Sequence, residues 1–416
     1  MRGTAKHHHP EIITAAIIIC ISFFTMCMNK EAKNIAASPK ITYKDFAGSA
    51  SCSGCHKSIY ESHIHTAHFL TSQIAAETNI KGSFEKGKNI FPYNNGTYIA
   101  MEKRGSGYFQ VAYFNNAERE THPFNITVGS ATKGQTYLYW LNQKLFQLPI
   151  TYFTAAGQWC NSPGFPDRPV FKRPITSRCL ECHATFAAAL STPGIGPEKF
   201  DNKTIVYGVD CEKCHGPAAM HVANQTQNPK DTIAKYIINP SRFSRQQSLD
   251  LCALCHGGRL QKTKPSFSFI AGDSLAGFFK WDTTTQSAAD IDVHGNQYGL
   301  LKLSKCFIQS NTLTCNSCHS PHQNEKNELS LYSQKCMNCH NKEHDTFCKV
   351  NTSLVASIKN NCIDCHMPKQ ASKSIAVFLP GQSLLTSSLI RTHFISKYPD
   401  ETKKYIEQMK KQPQQK

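Results

Sequence analysis

The residues of this 416-residue chain whose types and spacing could do chemistry are its cysteines and histidines, nineteen of each. Seven times they fall into one pattern, Cys-x-x-Cys-His. The seven are Cys52, Cys55 and His56; Cys179, Cys182 and His183; Cys211, Cys214 and His215; Cys252, Cys255 and His256; Cys315, Cys318 and His319; Cys336, Cys339 and His340; and Cys362, Cys365 and His366. Two cysteines three positions apart share one helical turn, so both thiols can add across the vinyl groups of one porphyrin as thioethers. The histidine directly after them then lies under the iron as its proximal ligand. Random placement would give roughly 0.04 such motifs, so chance is excluded. The reading is seven covalent haem c groups. Structural zinc also uses paired Cys-x-x-Cys knuckles. It needs no histidine after each pair, however, and seven pairs leave one over.

An iron bound on both faces passes electrons, whereas one with an open face can bind and transform a small molecule. Spare histidines therefore matter. Outside the motifs and His7, His8 and His9 there are nine: His63, His65, His68, His122, His221, His294, His322, His344 and His393. Seven would complete bis-histidine coordination. His322 lies three residues past His319, too near to reach round the same macrocycle, so the expectation is that it ligates a different haem, with Pro321 fixing its direction. Met220 and Met367 lie too close to their own attachment sites to reach a far face and read as packing.

The elements that position these groups must be slight. For a mature chain beginning at Cys27, seven haems leave about 56 residues each, too few for separate cores. Porphyrin must supply much of the interior. The expected fold is mainly α with large irregular content, wrapped around a haem array, with short helices such as 242–256 and 353–366 carrying motifs. A small antiparallel β insertion is expected near residues 84–156, where short aromatic and β-branched runs such as Tyr108 to Phe114 and Thr136 to Leu141 are punctuated by Asn94-Asn95-Gly96 and Gly105-Ser106-Gly107. The net charge of +17 excludes little by itself. Two propionates per haem would offset all but about +3 of it, so the basic excess reads as internal counter-charge, not as a nucleic-acid surface.

Residues 1–28 open with Arg2 and Lys6 and continue as an apolar run, Ile12 to Met28, that reads as an export signal. Cys27 fits a lipoprotein cysteine, although Met26 departs from the small residue usual before one; ordinary cleavage and an uncleaved anchor stay open. Residues 29–46 read as a tether, 47–395 as a seven-haem domain, and 396–416 as a polar C-terminal helix and tail. No other stretch reads as membrane-spanning. Cys160, Cys306 and Cys348 are left over, and at most two of them can pair.

Several stretches resemble exported multihaem cytochromes c of the CxxCH family, related to the hydroxylamine-oxidoreductase and pentahaem-nitrite-reductase lineage. They are Cys52 to His56 with Tyr60 and His68, Ser162-Pro-Gly, Arg173-Pro-Ile, Cys211 to Pro217 with His221, Asn239-Pro240, Cys306-Phe307, Cys315 to His322, and Cys362 to Lys369. The likeness spans about residues 47–395. It implies distal ligation by His68, His221, His322 and His393, with His294 and His344 next. Ala218 replaces a common glycine. No motif carries the proximal lysine of nitrite-reducing members. The chain ends at Lys416 with no room for the tetratricopeptide repeats of many relatives.

The expected function is electron transfer through seven mostly bis-histidine haems in a protein exported from a bacterial cytoplasm, as a periplasmic or membrane-surface lipoprotein. Redox partner proteins would be other cytochromes or a membrane quinol-linked donor, with the N-terminal lipid or leader holding the membrane and no nucleic acid involved. The alternative is an oxidoreductase acting on a small nitrogen or sulfur oxyanion at one five-coordinate haem. No catalytic side chain beyond the haem ligands stands out.

Overall fold

Hairpin chemistry sets the architecture of the first half. Asn115-Asn116 and Asn142-Gln143 adopt left-handed backbone (φ 49° and 62°, 50° and 64°). Such pairs close two-residue turns whose twist matches that of the strands they join. Gly107–Phe114 thereby pairs with Ala117–Pro123, and Gly134–Leu141 with Lys144–Gln147, both antiparallel. The first pair belongs to a four-stranded sheet that runs in sequence order from Ile90–Pro92 through Thr97–Arg104. The second belongs to a seven-stranded sheet that also recruits Ser72–Ile74, Ile126–Val128, Ile150–Phe153, Gln158–Asn161 and Arg173–Pro174.

The computed structural model describes residues 41–416, apart from 192–195, 283–286, 342–346, 351–357, 359–360 and 412–416. The leader, most of the tether and His344 lie outside the described residues. Thr42–Lys416 forms one compact unit. No helix among the described residues is long and apolar enough to cross a membrane.

Side chains of the two sheets meet in one core, where Ile99, Met101, Tyr137, Tyr139 and Leu148 are essentially inaccessible. Aromatic packing dominates it: Phe124 stacks on Tyr137 with ring centres 4.4 Å apart, and Trp159 packs on both. Gly82 is required there, because its φ is +101° and a Cβ would collide with the Trp159 ring.

The second half carries its motifs on very short elements. Ser177–His183, Cys211–His215 and Cys362–His366 are one- or two-turn helices, and Cys315–Ser317 is a single 3-10 turn. Among the described motif-bearing helices only Arg245–His256 reaches three turns, started by a capping box between Ser244 and Gln247. Three more antiparallel pairs lie between them: Ala184–Ala189 with Phe200–Tyr207, Leu260–Lys262 with Phe279–Trp281, and Lys369–Phe378 with Leu385–Arg391. The helix Pro399–Lys411 closes the described chain, and Tyr405 accepts a hydrogen bond from Asn361 beside the seventh motif.

The expectation of a mainly α fold is overturned. The described residues are 28% helix and 27% strand, with several antiparallel sheets. Cys-x-x-Cys-His needs only one turn to present two thiols and an imidazole, so seven motifs add little helix. Much of the chain linking the first three motifs is in paired strands, and the short Leu260–Lys262/Phe279–Trp281 pair and the hairpin after the seventh motif add to them.

Candidate functional site

Glu212 shows how the chain builds the site locally. Its carboxylate is 3% exposed, and it accepts from the backbone N–H groups of Ala47, Gly48 and Ala218. A buried carboxylate must be satisfied in this way. Doing so pins the approach to the first motif against the third. The turn after the third motif takes its positive φ (75°) at Gly216. Ala218 has φ −114°, so the missing glycine costs no backbone strain.

The motifs surround one continuous cavity of about 2790 Å³. Ordinary small-molecule pockets hold about 300–1,000 Å³, so this space suits several large groups. Cysteine or histidine side chains of six motifs line it, and Ile363 and Met367 do so at the seventh.

Across the cavity, histidines from separate parts of the chain face one another. His68 stands opposite His256 with ring centres 6.3 Å apart. His322 stands opposite His215 at 6.1 Å, the rings inclined by 15°. His393 stands opposite His319 at 6.2 Å. Two imidazoles on opposite faces of one iron, each bonded at about 2 Å, have ring centres about 6 Å apart. His322 thus pairs with the third motif, although it follows the fifth.

Tautomers are fixed from behind. The Nδ1 atoms of His215 and His366 lie 2.9 and 2.8 Å from the carbonyls of Ile238 and Ser396. Those of His183 and His256 lie 3.1 Å from Thr71 Oγ1 and Gln297 Oε1. Engaging Nδ1 leaves the Nε2 lone pair for a metal. Burial, then the nearby His256, His63 and His319, lowers the pKa of His68 to about 4. Burial, then His294 and His256, lowers that of His183 to about 4, and His294 lines the same cavity. Burial and His319 do the same for His393. Neutral imidazole is the form that ligates.

His221 lines the cavity with its Nδ1 2.8 Å from the Lys235 carbonyl. Among the described residues it has no ring contact with a motif histidine. His122 pairs with Glu120 and packs on Tyr139 and Phe171, so it belongs to the sheet core. Sequence reasoning undervalued His63, which is 6% exposed, lines the cavity and has a buried Nε2 with no hydrogen-bond partner, 3.8 Å from Asp210 Oδ1. Its Nδ1 lies 3.2 Å from the Pro321 carbonyl, and neighbouring Ser62 donates to the His322 carbonyl at 2.6 Å. The first motif's following helix thus holds the loop that carries His322. Thr71, Gln297 and Tyr332 were also invisible beforehand. Each lies far from its histidine in sequence or has no signature of its own, and only the fold brings it close.

Attachment sites also adjoin. Thiols from different motifs lie close enough to shift each other's titration in four pairs: Cys52 with Cys211, Cys182 with Cys255, Cys252 with Cys315, and Cys336 with Cys362. Arg178 donates to the Leu254 carbonyl between the second and fourth motifs. Ser333 accepts from the Cys362 N–H between the sixth and seventh. Tyr332, on the sixth motif's helix, reaches His319 of the fifth at 3.4 Å.

The donor set fits haem better than zinc. Among the described residues no three His, Cys, Asp or Glu side chains converge as a metal site, whereas zinc takes four protein ligands in structural sites. A porphyrin supplies four nitrogens itself, so an iron needs only the two opposed imidazoles found here.

Residues 168–216 match the family model for cytochrome c554 and c-prime, a segment holding the complete second and third motifs. No curated protein matches the chain. Among solved structures, the outer cell wall cytochrome OcwA superposes with a TM-score of 0.52 at 15% identity, covering 86% of this chain and 81% of that one. Two of the seven motifs thus lie in a segment similar to a cytochrome family model, and the chain shares its fold with a cytochrome.

Proposed function

We propose that the chain is an exported electron relay with seven covalent haem sites, one at each motif, most of them bis-histidine. The observation that carries this reading is the set of three opposed imidazole pairs at 6.1–6.3 Å. His68, His322 and His393 act as distal ligands for the fourth, third and fifth motifs, and His294 for the second. His221 and His344 are proposed for remaining sites. Haem bound at these positions supplies one-electron chemistry at iron.

The protein's part is to hold the sites side by side in a fixed order. The close thiol pairs, with two further contacts, support the order first, third, fourth, fifth, sixth and seventh motif. Cys214 and Cys252 lie within electrostatic reach of each other and join the third to the fourth. Tyr332 and His319 join the fifth to the sixth. The second motif attaches to the fourth through Cys182 and Cys255, so the fourth is a junction of three. Electrons entering at either end would pass through it. The ends would meet redox partner proteins, with the N-terminal segment at a membrane surface. The fold shared with an outer cell wall cytochrome is in keeping with export.

Mass spectrometry of denatured protein tests the count: seven haem masses above the polypeptide are expected, and a colourless product from a maturation-competent strain would sink the proposal. Electron paramagnetic resonance of the oxidised protein should be dominated by low-spin iron. A high-spin component that responds to nitrite or sulfite would favour the reductase reading instead.

A further inference from the structure

One group of charges along the cavity wall is not explained by the iron ligands. Three separate segments converge there: the loop holding Lys133, the loop holding Lys326 after His322, and the hairpin of Lys369–Phe378 with Leu385–Arg391. Lys133, Lys326, Lys369 and Arg391 all line the cavity. Lys369 and Arg391 are direct cross-strand partners, a placement in which like charges destabilise a sheet. Lys133 Nζ donates to the Leu389 carbonyl at 2.7 Å, two residues from Arg391 on the same strand. Burial, then Lys369, Lys326 and Arg391, lowers the pKa of Lys133.

Acidic neighbours do not resolve this crowding. Asp364 pairs with Arg391, and Glu325 is taken by Lys335 and the Ser320 N–H. Among the described residues Lys133, Lys326 and Lys369 have no acidic partner. Lys133 and Arg391 are half-buried, while Lys326 and Lys369 are exposed at the cavity's edge. Gathering their like charges around the buried stem of Lys133 favours an anion among them beyond the single carboxylate of Asp364.

We infer that Lys133, Lys326, Lys369 and Arg391 form a binding site for an anionic oxygen group, of the carboxylate or oxyanion class, at the cavity wall beside His393. Two sources share that chemistry. One is a propionate of a haem held in the cavity, and the other is a free oxyanion entering from solvent. Arg391 offers the planar donor and the lysines supply point charges. The inference rests on the relay reading, because it takes the cavity to be the haem compartment.

The test uses the full holoprotein and a Lys133→Gln/Lys369→Gln variant, followed by spectroelectrochemical titration. A cation beside a haem favours the reduced state, so removing two should lower the midpoint of one reduction wave. If a propionate fills the site, that fall is seen and the wild-type wave is unmoved by sodium nitrite or sulfate against sodium chloride of equal ionic strength. If a free oxyanion fills it, nitrite or sulfate moves the wild-type wave and the variant loses the response. Lys133→Arg/Lys369→Arg should restore wild-type behaviour in either case. Coincident curves for wild type and Gln variant, with and without the anions, would overturn the site. Haem mass on the same samples reports the relay reading separately: a shortfall from seven in the wild type counts against the relay, not the anion site.

Discussion

The sheet region between Ser72 and Pro174 and the motif region after Ser177 solve the same problem in opposite ways. In the first, side chains fill the interior themselves: Tyr137, Leu145 and Ile150 are wholly inaccessible and Trp159 is 2% exposed. In the second, thiols and imidazoles wall a cavity of about 2790 Å³ that also reaches residues of the sheets. His256 there and His68 before the sheets are exposed residues, yet both line the cavity, and burial still depresses their titration. One region is stable through hydrophobic packing. On the proposed reading the other is completed by haem, whose binding to the folded state would stabilise it by linkage. A covalent group that fills the core makes that linkage permanent.

The largest expected effect breaks the comparison directly. Produced in a strain without cytochrome maturation, the chain should keep slow amide hydrogen exchange across Ile90–Asn161 and lose it around the motifs. Uniform protection over both regions would show that the motif region needs no haem to fold.

Trp159→Ala attacks the other side. Truncating a buried tryptophan costs about 3–5 kcal/mol, and Trp159 also donates through Nε1 to the Ser83 carbonyl at 2.7 Å. Denaturant unfolding should show this loss while the denatured mass still carries every haem. Loss of haem from this variant would mean that the regions are not energetically separate.

His322→Ala tests whether chain order or spatial order governs ligation. One low-spin haem should become high-spin with all haems still attached. The affected haem should be the one at Cys211 and Cys214, identified by losing the same signal in a Cys211→Ala/Cys214→Ala variant. An unchanged spectrum would remove His322 from the ligand set.

The same contrast decides what was legible in the sequence. Motif chemistry is local, so Cys52 to His56 and its six counterparts could be read without a structure. Hairpins in the sheet region were legible in part because turn residues such as Asn94-Asn95-Gly96 and alternating strands such as Tyr108 to Phe114 are local signals too. Strands among the motifs were not. Ala184 to Leu190 is alanine-rich and reads as helix by propensity. Its pairing with Phe200–Tyr207 is fixed by tertiary contacts around Phe186 and Phe200. Which imidazole faces which could not be read either, because His68 and His256 lie 188 positions apart and only the folded chain brings them together. The charges around Lys133 were hidden for the same reason.

The smallest expected effect sharpens the point about support from outside the motif region. Ser62 sits on the helix Lys57–His63, and its hydroxyl donates to the His322 carbonyl at 2.6 Å. The adjacent His63 ring reaches the Pro321 carbonyl, so two contacts hold the peptide that aims His322 at His215. Ser62→Ala removes one of them and leaves a half-buried carbonyl short of a donor. A neutral hydrogen bond of this kind contributes about 0.5–1.5 kcal/mol, too little to detach His322 while His63 holds. Coordination should therefore stay low-spin, and only the orientation of the His322 ring should relax. Paramagnetic resonance reads that orientation through the g-values of one low-spin centre, the same centre lost in His322→Ala. Ser62→Thr, which keeps the hydroxyl, should restore the parent spectrum. If Ser62→Ala and the parent give identical g-values, the helix after the first motif packs against the His322 loop without positioning its ligand.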